Sequence, residues 1–201
     1  MTQQQAIALI DNEHTRRLHE STRGAHTSTP GLPHAPGHSG TPTRWADLGC
    51  GSGLFTHALA SLLQPGSTIY AIDRQSTLRP HTTKENVAIH PLELDFVKSD
   101  LANDAGLRHL DGILMANSLH YVKDKVNLLN RLRASLNPTH SLLLVEYDTD
   151  QPVSTWVPYP LSFTALQTLF HAAGYPTITK LGERPSLYRR SNLYAALITR
   201  P

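Results

Sequence analysis

Apolar residues along this chain switch between two periods, and from Arg44 onward the switching is regular. Short β-rich runs at 45–48, 68–72, between 87 and 96, 112–116 and 141–147 predict strands. Between them lie helix-like stretches: Phe55, Leu59, Leu62 and Leu63 share one face over 55–63, and Leu128, Leu129, Leu132 and Leu136 share one over 126–136. Strands alternating with helices predict an α/β fold, a parallel sheet covered on both faces. A further helix over 162–173 stops at Gly174, a residue suited to the left-handed turn that closes a helix. Two strand-like runs then follow in succession, 177–181 and 193–199, and predict an antiparallel pair closing one sheet edge.

The N-terminal part reads differently. Residues 1–23 are polar, with Ala6, Leu9, Ile10 and Leu18 at loosely helical spacing, and predict a leading helical segment. Residues 24–43 are built from Gly, Pro, Ser, Thr and His, with prolines at 30, 33, 36 and 42, and read as a linker. That leaves 44–201 as the main domain. Five histidines between His14 and His38 fall in this tract without cysteines or regular ligand spacing, so no metal site is read there.

Composition narrows the class. A length of 201 residues fits one domain, and 39% hydrophobic with 17% charged residues excludes coiled coil, collagen and wholesale disorder. The formal charge of +2 is far from the dense basic surface that phosphate-backbone binding needs, which speaks against a nucleic-acid partner. The single cysteine, Cys50, excludes an intrachain disulfide; with no signal-peptide pattern and no apolar run long enough to span a membrane, a cytoplasmic location is expected.

The sharpest local signal is Ala46-Asp47-Leu48-Gly49-Cys50-Gly51-Ser52-Gly53-Leu54-Phe55, an apolar strand running through three alternate glycines into an amphipathic helix. Such a loop lets a ligand approach the main chain closely, at the end of a sheet where open α/β folds bind. Leu54 stands where a nicotinamide fingerprint needs Gly or Ala, and the Gly-Lys-Ser/Thr of a P-loop is missing. Asp73, with Arg74 beside it, ends the next predicted strand, the place of an acid that accepts ribose hydroxyls, so a nucleoside ligand is expected. Cys50 reads as a small packed residue of this loop rather than a nucleophile.

Asp47-x-Gly49-x-Gly51-x-Gly53 followed by Asp73 resembles the class I S-adenosylmethionine-dependent methyltransferases, over roughly Trp45 to the C-terminus. The resemblance implies a Rossmann-like seven-stranded sheet of order 3-2-1-4-5-7-6 with strand 7 antiparallel, S-adenosyl-L-methionine as cofactor and S-adenosyl-L-homocysteine as its product. It places Gly49, Cys50, Gly51 and Gly53 under the cofactor, Asp47 toward its amino acid end and Asp73 with Arg74 at its ribose. An acid beside the adenine is expected from Asp95-Phe96 or from Asp100; Asp95 is preferred because Phe96 can pack on a purine. In the fourth-strand segment, 110–121, Asn117 is the position that meets the methionine moiety, and the Asn/Asp-Pro-Pro-Tyr sequence of amide-methylating members is missing.

His120, just past that strand, is the candidate base. Tyr121, Glu146, Tyr147, Trp156 and Tyr159 are the candidate lining of an acceptor pocket, and Arg184, Tyr188, Arg189 and Arg190 could meet an anionic acceptor. The function expected is methyl transfer to a small-molecule O, N or C nucleophile. A cofactor-binding module without turnover and an RNA methyltransferase are the rival readings.

Overall fold

A computed structural model describes residues 1–11, 40–103, 107–186 and 191–200. Among these residues there are eight strands, β1 (Arg44–Leu48), β2 (Thr68–Asp73), β3 (His81–Thr82), β4 (Ala88–Glu93), β5 (Leu110–Ala116), β6 (Leu136–Tyr147), β7 (Thr177–Pro185) and β8 (Asn192–Arg200). They form one sheet in the order β3-β4-β2-β1-β5-β6-β8-β7. Pairings across β4-β2-β1-β5-β6 are parallel, and β8 runs antiparallel to both β6 and β7. Set aside β3 and this is the expected seven-stranded order. The added strand is a two-residue, exposed pairing against the start of β4, too short to leave a periodic signal.

Alternation along the central strands explains why both faces are covered. Ala46, Leu48, Ile113, Met115, Leu142 and Leu144 point to one side and pack with Leu128, Leu129, Leu132, Leu166 and Phe170. Those side chains belong to α3 (Lys125–Leu132) and α4 (Phe163–Ala172). Trp45, Leu114, Leu143 and Val145 point to the other side and pack with Ala6, Leu9, Ile10, Phe55, Ala58 and Leu59, from α1 (Gln3–Ile10) and α2 (Leu54–Ala60). Gly112 has no side chain because the Trp45 indole fills that space: a Cβ there would lie 2.5 Å from the ring.

The predicted leading helix is present as α1, opened by a capping box in which Thr2 and Gln5 bond to each other's backbone N–H. It packs on α2 and reaches β7 so closely that a Cβ on Gly182 would lie 2.8 Å from the Leu9 carbonyl. The rest of the expected segment, from residue 12, lies outside the described residues, as does the linker up to residue 39. The helix expected over 126–136 is shorter: α3 ends at Leu132, a 3₁₀ turn (Arg133–Ser135) follows, and Leu136 already begins β6. Its apolar spacing ran on into the strand, which periodicity alone does not separate.

Candidate active site

The C-terminal ends of β1, β2, β5 and β6 converge on the glycine loop. Gly49 and Cys50 donate their N–H groups to the Ile72 carbonyl at 2.8 and 3.0 Å, tying the loop to the end of β2. Gly49 and Gly53 have φ of +81° and +83°, which L side chains rarely adopt. A Cβ on Gly49 would meet Ser118 Cβ at 2.6 Å, so this residue is held glycine by crowding as well as by angle. At Gly51 a Cβ would meet nothing within 4 Å; the main chain there faces open space. Its N–H donates to Asp73 Oδ2 at 2.9 Å, and Asp73 Oδ1 accepts from Gln75 N–H at 3.2 Å.

Asp47 lies beneath this loop, 1% exposed. Its Oδ2 accepts from the Thr56 hydroxyl at 2.6 Å, while Oδ1 is buried without a hydrogen-bond partner among the described residues. Burial pushes its pKa up to about 7 against the Thr56 bond, and the charge of Asp73 pushes the same way. Cys50 is likewise driven up to about 12, by burial first and by Asp47 and Asp73 after it, so its thiol is held protonated and inert.

Two cavities open here. One, of about 430 Å³, is lined by Gly49, Asp73, Arg74, Asp95, Phe96, Asn117, Ser118 and Tyr121, among others. The second, of about 640 Å³, is lined by His120, Tyr147, Thr149, Gln151, Trp156 and Ser191, among others, and again by Asn117 and Tyr121. Asn117 and Tyr121 thus form a wall common to both. Asn117 turns the chain out of β5 with φ +55°, and its Oδ1 is buried without a hydrogen-bond partner among the described residues.

Most residues singled out in the sequence come together around these cavities. Asp95 and Phe96 are in the wall of the first; Asp100 is not, its carboxylate accepting from Ala102 N–H and the Asn103 amide in its own loop. Glu146 is a correction to the expected acceptor wall. It lies 1% exposed behind the wall, where Oε1 accepts from the N–H groups of Leu119 and His120 at 2.9 and 3.2 Å and Oε2 meets His120 Nδ1 at 2.6 Å. Tyr159 also stands apart from both walls: its N–H donates to the His120 carbonyl, and its ring lies under the Lys125 ammonium. Arg184 pairs with Leu193 in the β7–β8 ladder, and residues 188–190 lie outside the described residues.

Sequence reasoning passed over Ser118, whose hydroxyl donates to the Leu48 carbonyl at 2.6 Å and crosses from β5 to β1 inside the first cavity. It also passed over Thr149, Gln151 and Ser191 in the second. Ser118, Thr149 and Gln151 follow strand ends and Ser191 directly precedes β8, and that position was the one signal available.

The donor set fits S-adenosylmethionine. A bare buried carboxylate oxygen and a bare amide oxygen suit a cationic amino acid end, an acid at the end of β2 suits vicinal hydroxyls, and Phe96 suits a purine face.

Residues 46–139 match the family model described as a methyltransferase domain. Comparison with curated proteins gives no match. Among solved structures, a Nostoc punctiforme protein described as an O-methyltransferase is similar at 16% identity and TM-score 0.55, over 79% of this chain and 51% of that one. This chain therefore spans about half the length of the Nostoc protein. The Burkholderia thailandensis 1,6-didemethyltoxoflavin-N1-methyltransferase, bound to S-adenosylhomocysteine, is similar at 17% identity and TM-score 0.56, over 79% of this chain and 71% of that one. The plantazolicin methyltransferase BpumL, in complex with the same product, matches over 99% of this chain and 85% of that one, at 14% identity and TM-score 0.59. At such identities the likeness to these structures is one of fold, and the family match adds that residues 46–139 are similar to a methyltransferase domain.

Proposed function

We propose that residues 44–201 form a domain that transfers a methyl group from S-adenosylmethionine to a small-molecule nucleophile, in the cytoplasm. The observation that carries this reading is the pair of cavities sharing Asn117 and Tyr121, one edged by the glycine loop and Asp73, the other walled by aromatic rings. No helix among the described residues is long and apolar enough to cross a membrane.

S-adenosylmethionine supplies a methyl group already activated on a sulfonium. The chain's task is then alignment and exclusion of water. Asp73 accepts from the ribose hydroxyls with the lone pairs that Gly51 and Gln75 leave unused, Asp95 and Phe96 hold the adenine, and Asp47 and Asn117 accept from the amino acid end. The acceptor enters the second cavity and reaches the methyl across the shared wall.

Calorimetric titration with S-adenosylmethionine and S-adenosylhomocysteine tests this, on the wild type and on Asp73→Ala. Micromolar binding, weakened in the variant by about 1 kcal/mol or more, the scale of a lost hydrogen bond to a charged group, is expected. Absence of binding by folded wild-type protein would falsify the reading.

A further inference from the structure

We infer that His57 and His81 form a two-histidine site for a divalent transition-metal ion of the zinc, nickel and copper type, which fastens β3 to α2 where the glycine loop ends. Neither histidine lines the two cavities described above, so the site does not depend on the methyltransferase reading.

Local chemistry sets the tautomer of each ring. His57 Nδ1 lies 2.7 Å from the Gly53 carbonyl oxygen, and His81 Nδ1 lies 2.8 Å from that of Arg79. A carbonyl oxygen only accepts, so each Nδ1 carries the hydrogen and each Nε2 is left with its lone pair. Those two nitrogens face each other at 3.2 Å, with the ring planes 22° apart and the ring centroids 5.3 Å apart. Two neutral imidazoles cannot hydrogen-bond to each other in this state. Reversing one tautomer would supply a hydrogen between them, but it would set that ring's Nδ1 lone pair against its carbonyl. Every neutral arrangement therefore keeps at least one repulsive contact, and a cation held by both Nε2 atoms removes it.

The surroundings are those a metal asks of a histidine. A ligating imidazole almost always donates its other N–H to a carbonyl, carboxylate or water, which fixes the ring and raises the basicity of the ligating nitrogen. Both rings do this through Nδ1. A tetrahedral zinc ion with Zn–N bonds of about 2.0–2.1 Å sets its ligand nitrogens about 3.3 Å apart, close to the 3.2 Å between the two Nε2 atoms. Imidazole suits zinc, nickel and copper, whereas magnesium and calcium require oxygen. His81 is exposed and His57 half-buried, so an ion reaches them from solvent. Among the described residues no group of three metal-ligating side chains comes together. Water fills the remaining positions, and binding is weaker than in a closed four-ligand site.

The place gives the ion a mechanical task. β3 is only two residues long, exposed, and paired with β4 at His81 and Thr82. His57 belongs to α2, and the Gly53 carbonyl that orients its ring also accepts its backbone N–H at 2.9 Å. Between Asp73 and β3 the chain crosses Gly53, where a Cβ would lie 2.7 Å from Leu78 Cδ2. An ion on both rings adds a second fastening beyond Leu78. The stretch that starts at Asp73 and Arg74 is then tied to α2 at both Leu78 and His81.

The test is Zn²⁺ titration of the full chain at pH 7.5, followed by ring-nitrogen NMR and by thermal unfolding, with Mg²⁺ as the comparison ion. Zn²⁺ is expected to shift the Nε2 signals of His57 and His81 and to raise the unfolding temperature; Mg²⁺ should do neither. His81→Gln, at an exposed position, should fold like the wild type, bind Zn²⁺ at least tenfold more weakly and lose the stabilisation. His57→Gln should behave in the same way, and if it does not fold, His81→Gln alone carries the comparison. Zn²⁺ that leaves both ring signals in place overturns the site, because the two rings then share at most a proton. Equal stabilisation of wild type and His81→Gln overturns it as well, since the ion would then sit on other histidines.

Discussion

Asp47 and Glu146 sit near the ends of two central strands of one sheet, each 1% exposed, and their surroundings could hardly differ more. Asp47 accepts a single hydrogen bond, from Thr56, keeps one oxygen bare, and is pushed up to about 7 by burial. Glu146 accepts three, and both its oxygens are engaged. Burial alone therefore does not assign a role to a carboxylate. One whose oxygens are filled by the chain's own donors belongs to the frame; one beside the glycine loop has an oxygen that the described residues leave without a donor.

Removing the filled carboxylate should do the greater damage. Glu146→Ala leaves two backbone N–H groups and His120 Nδ1 without their partner in a buried place, an expected loss of ~3–5 kcal/mol, the summed scale of several buried polar groups left unsatisfied. Equilibrium urea unfolding at pH 7 reads it, and a loss near zero would show that water replaces the carboxylate and that the frame is elsewhere.

For Asp47 the effect should instead follow pH. Its folded pKa, about 7, lies above the ordinary 3.8, so between those values the folded chain holds a proton that the unfolded chain has released. Stability contributed at low pH is thus lost as pH rises through about 7 and is level above that. A shift of about three units corresponds to at most ~4 kcal/mol. Unfolding free energies of wild type and Asp47→Asn, each measured at pH 4.5 and pH 8, should differ in this sense, with the variant's decline the smaller. Equal slopes would remove the contrast between the two carboxylates.

How much of this was legible in the sequence follows the same division. The strands were readable because both sheet faces are buried and Leu142 to Val145 alternate between two clusters, while their order came only with the family resemblance. Asp47, Asp73 and the glycines could be singled out because a glycine-rich turn between strand and helix leaves a local pattern, and the structure brings them together at the ends of β1 and β2. Glu146 was seen as a candidate and placed wrongly. Its partners, Leu119 and His120, lie more than twenty residues away on the far side of α3, and no local spacing records a contact of that range. Tyr159 followed for the same reason: an aromatic beside two prolines looks like a pocket wall, but its ring meets Lys125. The shared wall at Asn117 and Tyr121 exists only once β1, β5 and β6 are side by side.

Ligand binding sharpens the contrast further. Asp47→Asn should weaken S-adenosylhomocysteine by ~1.5–3 kcal/mol, the worth of hydrogen bonds to a charged group, while Glu146→Gln should leave its affinity unchanged. Wild-type affinity should also rise with pH through about 7, as Asp47 ionises opposite a cationic amino group. Calorimetry across that range, with the asparagine variant as the flat reference, checks both.

The smallest effect expected concerns the glycines, where filled and open surroundings recur within three residues. Gly49 is walled in by Ser118 and Phe96, so Gly49→Ala must displace Ser118 and with it the bond to the Leu48 carbonyl. Gly51 faces open space at φ +52°, and Gly51→Ala should cost only about 1 kcal/mol of stability, the strain of an L residue in the left-handed region. Its added methyl group would stand where the ligand approaches the main chain, so S-adenosylhomocysteine binding should fall while the unfolding transition barely moves. Thermal unfolding with and without the ligand separates the two. A Gly51→Ala protein that is stabilised by S-adenosylhomocysteine as much as the wild type would mean that the ligand passes the loop at a distance, and that the bare oxygen of Asp47 waits for some other donor.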